Sequence, residues 1–453
     1  MKKLSLLFGM LGGLMCAQTF EVVPVLENGP RDKRINLVIM GDGYTSSQQA
    51  TFTQDVANIA NYLFSKAPYT NYKNYFNVYA IKVISAESGV KHPGTASDVA
   101  EPVIPISNPN NYLGTSYDVG GTHRCVYGNV NKTSQTLATN FPDYDMALIV
   151  GNDTEYGGCG GAFAFLSRHN QAPDVAVHEL GHSFGKLADE YWFSGSGESP
   201  NKTKNNDPTT IKWKNWLGTN NVGIYPYTES PTWFRPHQNC EMRYLNQQFC
   251  SVCKETLIEK IHATQNPVES YTPANTGTIG AEEQMNFNVN LILPIPNTLA
   301  ASWKLNGTAV GTNSGTLIIN KNQLQIGNNQ LTFNVVDNTT DVRVDNHSAT
   351  HLTSITWTIN RTNLGVSNVG SQIYDFVVYP NPTNDYLQIG SKQKNLGELS
   401  AVITDMSGRV ISKLKLKESD NYKVDMKYLA RATYVVSVYK DASLLFTKQV
   451  IKE

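Results

Sequence analysis

The chain has 453 residues, 40% of them hydrophobic and 17% charged, a length that exceeds one ordinary core and predicts two or three domains. Its 37 basic residues against 38 acidic ones give a net charge of -1, which leaves no electrostatic footprint for nucleic acid or an anionic membrane. Past the N-terminus no apolar run reaches the roughly 18 residues a membrane span needs.

Residues 1–17 read as an export signal: Lys2 and Lys3, the apolar run "LSLLFGMLGGLM", then "CAQ" with a cut after Ala17. A lipid-anchored Cys16 is the weaker reading, because Gly13-Leu14-Met15 fits poorly the small residues expected before such a cysteine. The first ordered unit opens with a buried strand, Ile35 to Met40, and a turn at Gly41 and Gly43. Thr45 and Gln48 have capping-box spacing, and Phe52, Val56, Ile59 and Leu63 form the apolar stripe of a helix that ends before Pro68. Strands follow over residues 75–85 and 145–151, separated by an insert rich in Pro, Asn and Gly over about 88–140, so an α/β sheet with packed helices is expected.

"VAVHELGHSFGKLADEY", Val175 to Tyr191, carries the chemistry. Residues i and i+4 of a helix lie one above the other, so His178 and His182 can present imidazoles to one ion while Glu179 reaches a water there. Zinc acidifies such a water and Glu179 can take its proton, a pattern suited to hydrolysis. Pro173 and Asp174 suit a first helical turn. Gly185 is expected to allow a positive φ where the chain turns back to the metal. Ala188 cannot bind metal, but Asp189 and Glu190 follow the turn at once and offer oxygen ligands to complete a site of three protein groups plus water.

Without Cys16, the cysteines are Cys125, Cys159, Cys240, Cys250 and Cys253. Export favours disulfides, with one thiol left over and the pairing open. A competing reading has His237, Cys240, Cys250 and Cys253 hold a structural zinc through H-x2-C and C-x2-C spacing. In "YGGCGGAFAFLSRH", Tyr156 to His169, the paired glycines would let another backbone approach; a Gly-rich turn with Cys159 bridged to Cys125 is the other reading. Loop acids such as Asp153 and Glu155 leave room for calcium, but nothing has EF-hand spacing.

From about Gly277 the pattern becomes short alternating segments, such as "MNFNVNLIL" and "NQLTFNVVD", which predicts a β-sandwich over 277–360. His347 and His351 are read there as surface or loop residues. A polar linker leads to a last all-β unit over 373–453, with turns at Pro380-Asn381-Pro382 and Ser407-Gly408.

Three resemblances sharpen these expectations. Cys240-Glu241-Met242-Arg243-Tyr244 resembles the S-x-M-x-Y turn of the metzincin peptidases, which implies Met242 as an apolar floor under the metal and Tyr244 as an aid to the oxyanion. The stretch from about Arg34 to Glu259, through "LVIMGDGYT", "YFNVYAIKVISAESGV", "HELGHSFGKLADEY", "NCEMRY" and "FCSVC", resembles the IgA-peptidase family of secreted zinc metallopeptidases. Its HExxHxxGxxxD motif implies His178, His182 and Asp189 as zinc ligands and Glu179 as general base. In metzincins the segment before the active helix is an edge strand that pairs with an extended substrate, which implies substrate contacts at Gly160, Gly161 and Ala162. "YPNPTNDYLQI", "VITDMSGRVI" and "ATYVVSVY" resemble the sorting domain that Bacteroidetes attach to cargo of the type IX secretion system.

The resulting expectation is a multidomain chain: a metzincin-like α/β (α+β) catalytic domain over 18–265, an all-β Ig-like sandwich, and a small all-β sorting domain. It would be a monomeric zinc endopeptidase acting on protein substrates, secreted or at the surface of a Bacteroidetes-type bacterium. An adhesin with a structural zinc, or a zinc hydrolase of non-peptide bonds, are the alternatives. The family's name points to immunoglobulin A, but fold and site do not fix which peptide is cut.

Overall fold

Hydrophobic runs that read as buried strands do assemble one sheet. The computed structural model describes residues 18–193, 197–362, 376–391, 396–441 and 443–453, so the export-signal reading and most of the linker lie outside the described residues. The sheet comprises β1 (Val22–Leu26), β2 (Ile35–Asp42), β3 (Phe76–Ile81), β4 (Met146–Gly151), β5 (Gly158–Cys159) and β6 (Ala164–Ser167), in the order β1-β3-β2-β4-β6-β5. The four central strands run parallel and every one of their residues is buried, as expected of a sheet covered on both faces. β1 and β5 are antiparallel edges.

Helices α1 (Gln49–Leu63), α2 (Val130–Asn140) and α3 (Ala172–Ser183) flank this sheet. Both halves of the Thr45/Gln48 capping box form around a short turn leading into α1, whose Phe52, Val56, Ile59 and Leu63 are buried in one core with Ala176 and Leu180 of α3. Helix α2 lies within the Pro-, Asn- and Gly-rich insert of 88–140, where the sequence shows no helical stripe. It is rich in Thr, Asn and Gln, so its apolar stripe shrinks to Leu137, but the Asn129 side chain caps it by accepting from Lys132 N. Leu137 joins a second core on the opposite side of the sheet with Leu113, Tyr117 and Val126.

After the small ribbon β7 (Tyr225–Pro226) and β8 (Phe234–Arg235), helix α4 (Ser251–Thr264) packs into the α3 side. Two sheets follow, built from β9 (Val268–Thr272), β10 (Thr278–Gly280), β11 (Gln284–Leu291), β12 (Leu299–Leu305), β13 (Thr308–Thr312), β14 (Thr316–Asn320), β15 (Gly327–Asp337) and β16 (Thr353–Arg361). Their orders are β10-β16-β15-β12-β13 and β14-β11-β9. Alternating inward residues of both sheets, with Trp303 and Trp357 stacked at 5.7 Å, fill the space between them.

The sandwich and the α/β part form one compact unit ending at Thr362. Buried Asp337 of β15 is part of the seam: its Oδ2 accepts from Tyr72 Oη at 2.6 Å and lies 3.0 Å from His262 Nε2. His347 and His351 belong to the same seam: buried, helical His347 corrects its reading as a surface or loop residue, while His351 lies in the loop just past that helix. A short helix, α5 (His347–Thr350), turns His347 inward to Glu259 of α4, and His351 Nε2 lies 3.0 Å from the same carboxylate. Glu259 is half-buried, and the two imidazoles supply the partners its carboxylate needs there.

The second compact unit begins at Asn363. Its described strands are β17 (Phe376–Tyr379), β18 (Tyr386–Ser391), β19 (Leu399–Asp405), β20 (Val410–Leu416), β21 (Lys423–Asp425), β22 (Ala432–Lys440) and β23 (Ser443–Lys452), in sheets ordered β17-β18-β21 and β20-β19-β22-β23. Leu387, Ala401, Ile403, Val436 and Val438 form its core. No helix among the described residues is long and apolar enough to cross a membrane.

Candidate metal centre

Helix α3 begins with Pro173 in its first turn and Asp174 beside it, the latter accepting from the Tyr62 hydroxyl of α1. One turn of helix then separates His178 from His182, and their Nε2 atoms converge to 3.1 Å. Asp189 returns from the following loop so that its Oδ1 lies 3.1 Å from His178 Nε2 and 3.2 Å from His182 Nε2. The other nitrogens are engaged by backbone: His178 Nδ1 with Glu241 O at 3.0 Å, and His182 Nδ1 with Leu187 O at 2.7 Å. Each carbonyl can only accept, so both Nδ1 atoms carry a proton, and both Nε2 atoms face Asp189 and the centre.

The turn that brings Asp189 back differs from expectation. Gly185 does not take a positive φ; Lys186 does, at 54°. Gly185 is required by space, because a Cβ there would lie 2.8 Å from Gly181 O and 2.8 Å from Leu257 Cδ2. Asn201 then holds the returning segment, accepting from Ala188 N at 2.7 Å and donating to Ala188 O at 2.8 Å. Tyr227 donates to Asp189 O at 2.8 Å. Glu190, the rival third ligand, points away: its side chain is fully buried among Asn201, Cys250 and Cys253.

Met242 is fully buried against the helix, and a Cβ on Gly181 would fall 2.5 Å from its Sδ, so the methionine lies under the turn that joins the two histidines. Tyr244 does not join this group. It is half exposed, its ring covered by the Arg243 guanidinium at 4.8 Å, and no hydrogen bond links it to the His/Asp cluster among the described residues. Tyr191 does: its ring stacks over His178 at 6.5 Å. Burial and the neighbouring Asp189 carboxylate push its phenol well up. Local sequence could have flagged Tyr191, two residues past Asp189; Asn201 and Tyr227 carry no such signal.

The charges favour a cation at the centre. Burial alone would lower the His178 imidazole, yet the hydrogen bond it donates to Asp189 and the charges of Glu179 and Asp189 outweigh it and raise it to about 9. Burial acts to raise the Asp189 carboxyl, but the two histidines hold it far below the usual carboxylate range. Glu179 is buried, its carboxyl raised by that burial against the pull of His178 and His182, and its Oε2 has no hydrogen-bond partner. A Cβ on Gly160, just past edge strand β5, would lie 2.5 Å from that Oε2. Gly160, Gly161 and Ala162 are exposed, with Ala162 N donating to Tyr127 Oη at 3.0 Å.

These residues fit zinc. Two imidazole nitrogens and a carboxylate oxygen are a normal donor set, and bond lengths of about 2.0–2.1 Å put tetrahedral ligand atoms about 3.3 Å apart, close to the 3.1 and 3.2 Å found. The Cys125–Cys159 disulfide ties β5 to the insert.

Residues 23–230 match the family described as IgA Peptidase M64, and residues 377–453 match the secretion system C-terminal sorting domain. The resemblances to an IgA-peptidase family and to a sorting domain are therefore borne out. The peptidase match spans His178, Glu179, His182 and Asp189 and stops short of Met242. No curated protein matches the chain. Similar solved structures include fibronectin(III)-like modules of Clostridium thermocellum CbhA (12% identity, 41% of this chain and 91% of that one, TM-score 0.15). A Bacteroides ovatus glucan-utilization protein, SGBP-B, is 14% identical over 42% of this chain and 48% of its own (TM-score 0.16). A two-domain fibronectin type III segment of chicken tenascin is 10% identical over 42% and 99% (TM-score 0.18). Likeness at that level bears on neither fold nor function.

Proposed function

We propose, on the premise that residues 23–230 match the IgA Peptidase M64 family, that this chain is an exported, zinc-dependent endopeptidase of metzincin type. The observation that carries the reading is a partnerless Glu179 oxygen beside the converging His178, His182 and Asp189 atoms, at an exposed sheet edge.

Zinc bound by His178, His182 and Asp189 would supply the positive charge that acidifies a water and polarises a carbonyl. Glu179 takes the proton of the attacking water on its free Oε2 and later hands it to the leaving amine; its raised carboxyl suits that exchange. An extended peptide pairs along Gly160, Gly161 and Ala162, where the absence of side chains at the two glycines admits a second backbone. Tyr191, beside Asp189, donates to the developing oxyanion, and Tyr244 contacts substrate from the rim. Residues 377–453 match the secretion-system sorting domain; read as the address for type IX secretion, the last unit (373–453) would carry the chain, a monomer in this reading, outside the cell or to its surface in a Bacteroidetes-type bacterium.

The test is proteolysis of a mixed protein panel, including casein and human IgA, by the full chain and by Glu179→Ala, with bound zinc measured in both. The expected result is cleavage by the parent and at least about 10²-fold less by the variant at equal zinc content. Zinc bound with no cleavage of any panel protein would overturn it.

A further inference from the structure

We infer that a second metal ion, a structural zinc, is held by Cys240, Cys250, Cys253 and Glu190. This goes beyond the peptidase reading and does not depend on it.

Three thiols converge on one carboxylate from three parts of the chain. Cys240 lies two residues before Met242, Cys250 is the N-cap of helix α4 and Cys253 lies in its first turn, and Glu190 follows Asp189. Their candidate ligand atoms all lie within 4.8 Å of one another, and all four residues are buried. Cys240 Sγ is 3.7 Å from Cys253 Sγ, and Glu190 Oε1 is 3.3 Å from Cys253 Sγ and 3.9 Å from Cys250 Sγ. A tetrahedral zinc with Zn–S bonds of about 2.3 Å sets its sulfurs about 3.8 Å apart and a carboxylate oxygen slightly nearer. The spacing of the group is therefore that of a closed, four-ligand site.

Chemistry points the same way. Glu190 is fully buried and its Oε2 has no hydrogen-bond partner; Asn201 donates only to its Oε1, and the Arg235 guanidinium acts on it only at a distance, without a salt bridge among the described residues. A buried carboxylate left so is costly, and a divalent cation removes the cost. Disulfides do not solve the problem: with Cys125 joined to Cys159, three cysteines remain, and any bond among them strands one thiol beside Glu190. His237, the fourth ligand expected from spacing, instead accepts from Asn239 N at 3.0 Å, and Glu190 takes its place. The ion would lock the segment after Asp189 to the Met242 turn, which Glu190 N already joins by donating to Met242 O at 2.7 Å.

The test uses the full chain exported through an oxidising compartment. Metal analysis should find two zinc ions per parent chain and one in His178→Ala/His182→Ala. That double variant, loaded with cobalt, should show thiolate-to-cobalt charge-transfer absorption. Alkylation of the unfolded, chelated but unreduced parent should label Cys240, Cys250 and Cys253. Cys253→Ala should keep one zinc; if it fails to fold, cobalt absorption and alkylation still decide, since both leave the cysteines intact. A metal-free double variant, or a disulfide among the three cysteines, overturns the inference. Loss of proteolysis alone would bear on the peptidase reading and leave this one standing.

Discussion

Replacing Gly160 with alanine probes the catalytic arrangement through space alone. The new Cβ would lie 2.5 Å from Glu179 Oε2, 3.7 Å from its Cδ and 3.9 Å from His182 Cδ2. Ordinary contact needs about 3.5 Å, so the carboxylate oxygen must move by about 1 Å while the histidines stay. Gly160 lies outside the left-handed region, so the backbone accepts alanine without strain. The oxygen sits at the end of a flexible side chain, and stability should change by less than about 1 kcal/mol. A displacement of about 1 Å at a reacting group costs about 10²-fold; kcat should fall by that factor while zinc content holds. Steady-state peptide cleavage and metal analysis of Gly160→Ala, Glu179→Ala and the double variant give the cycle. The double variant should be slower than Glu179→Ala by much less than the full Gly160→Ala loss, because the added methyl acts chiefly through that carboxylate and only the remainder falls on the peptide that pairs at Gly160. Full activity in Gly160→Ala, or losses that multiply, would refute the reasoning.

Met242→Ala removes a fully buried side chain from beneath Gly181 and should cost about 2–5 kcal/mol in urea unfolding, with Met242→Leu close to the parent. Asn201→Ala deletes both hydrogen bonds to Ala188 and should cost about 1–3 kcal/mol and speed zinc loss to a chelator. Glu259→Gln should give a pH-dependent defect. His347 is lowered by burial but raised overall by Glu259, so its share of stability is full below about 6.5 and fades as pH rises through its folded value. Glu259 is raised by burial but lowered overall by His347 and His351, so its share is present above about 4.3 and fades as pH falls. The urea midpoint of Glu259→Gln should therefore trail the parent most between those values and converge with it at alkaline pH.

Where function and fold rest on short-range pattern, they were legible in the chain. The buried run at Ile35, the Thr45/Gln48 cap and the i, i+4 histidines depend on neighbours a few residues away, and each forms as read. Asp189 and Glu190, successive residues of the returning loop, point to opposite sides, one to the histidines and one to the cysteines, a difference that local pattern does not report. Gly185 was singled out for its conformation, whereas crowding by Gly181 and Leu257 is what excludes a side chain there. Helix α2 escaped notice because capping and a single buried leucine, rather than an apolar stripe, hold it. The partners of Glu190 and Glu259 lie some 60 and 90 residues away, and no local periodicity reports such meetings.

The most direct measurement is diffraction from crystals of the full, proteolytically active chain at the zinc absorption edge. If His178, His182 and Asp189 form the hydrolytic centre, an anomalous peak will sit about 2.0–2.2 Å from both Nε2 atoms and an Asp189 oxygen, with Glu179 beside it but unbound. No peak between these residues in an active preparation, or a peak bound by Glu179 as well, would contradict it.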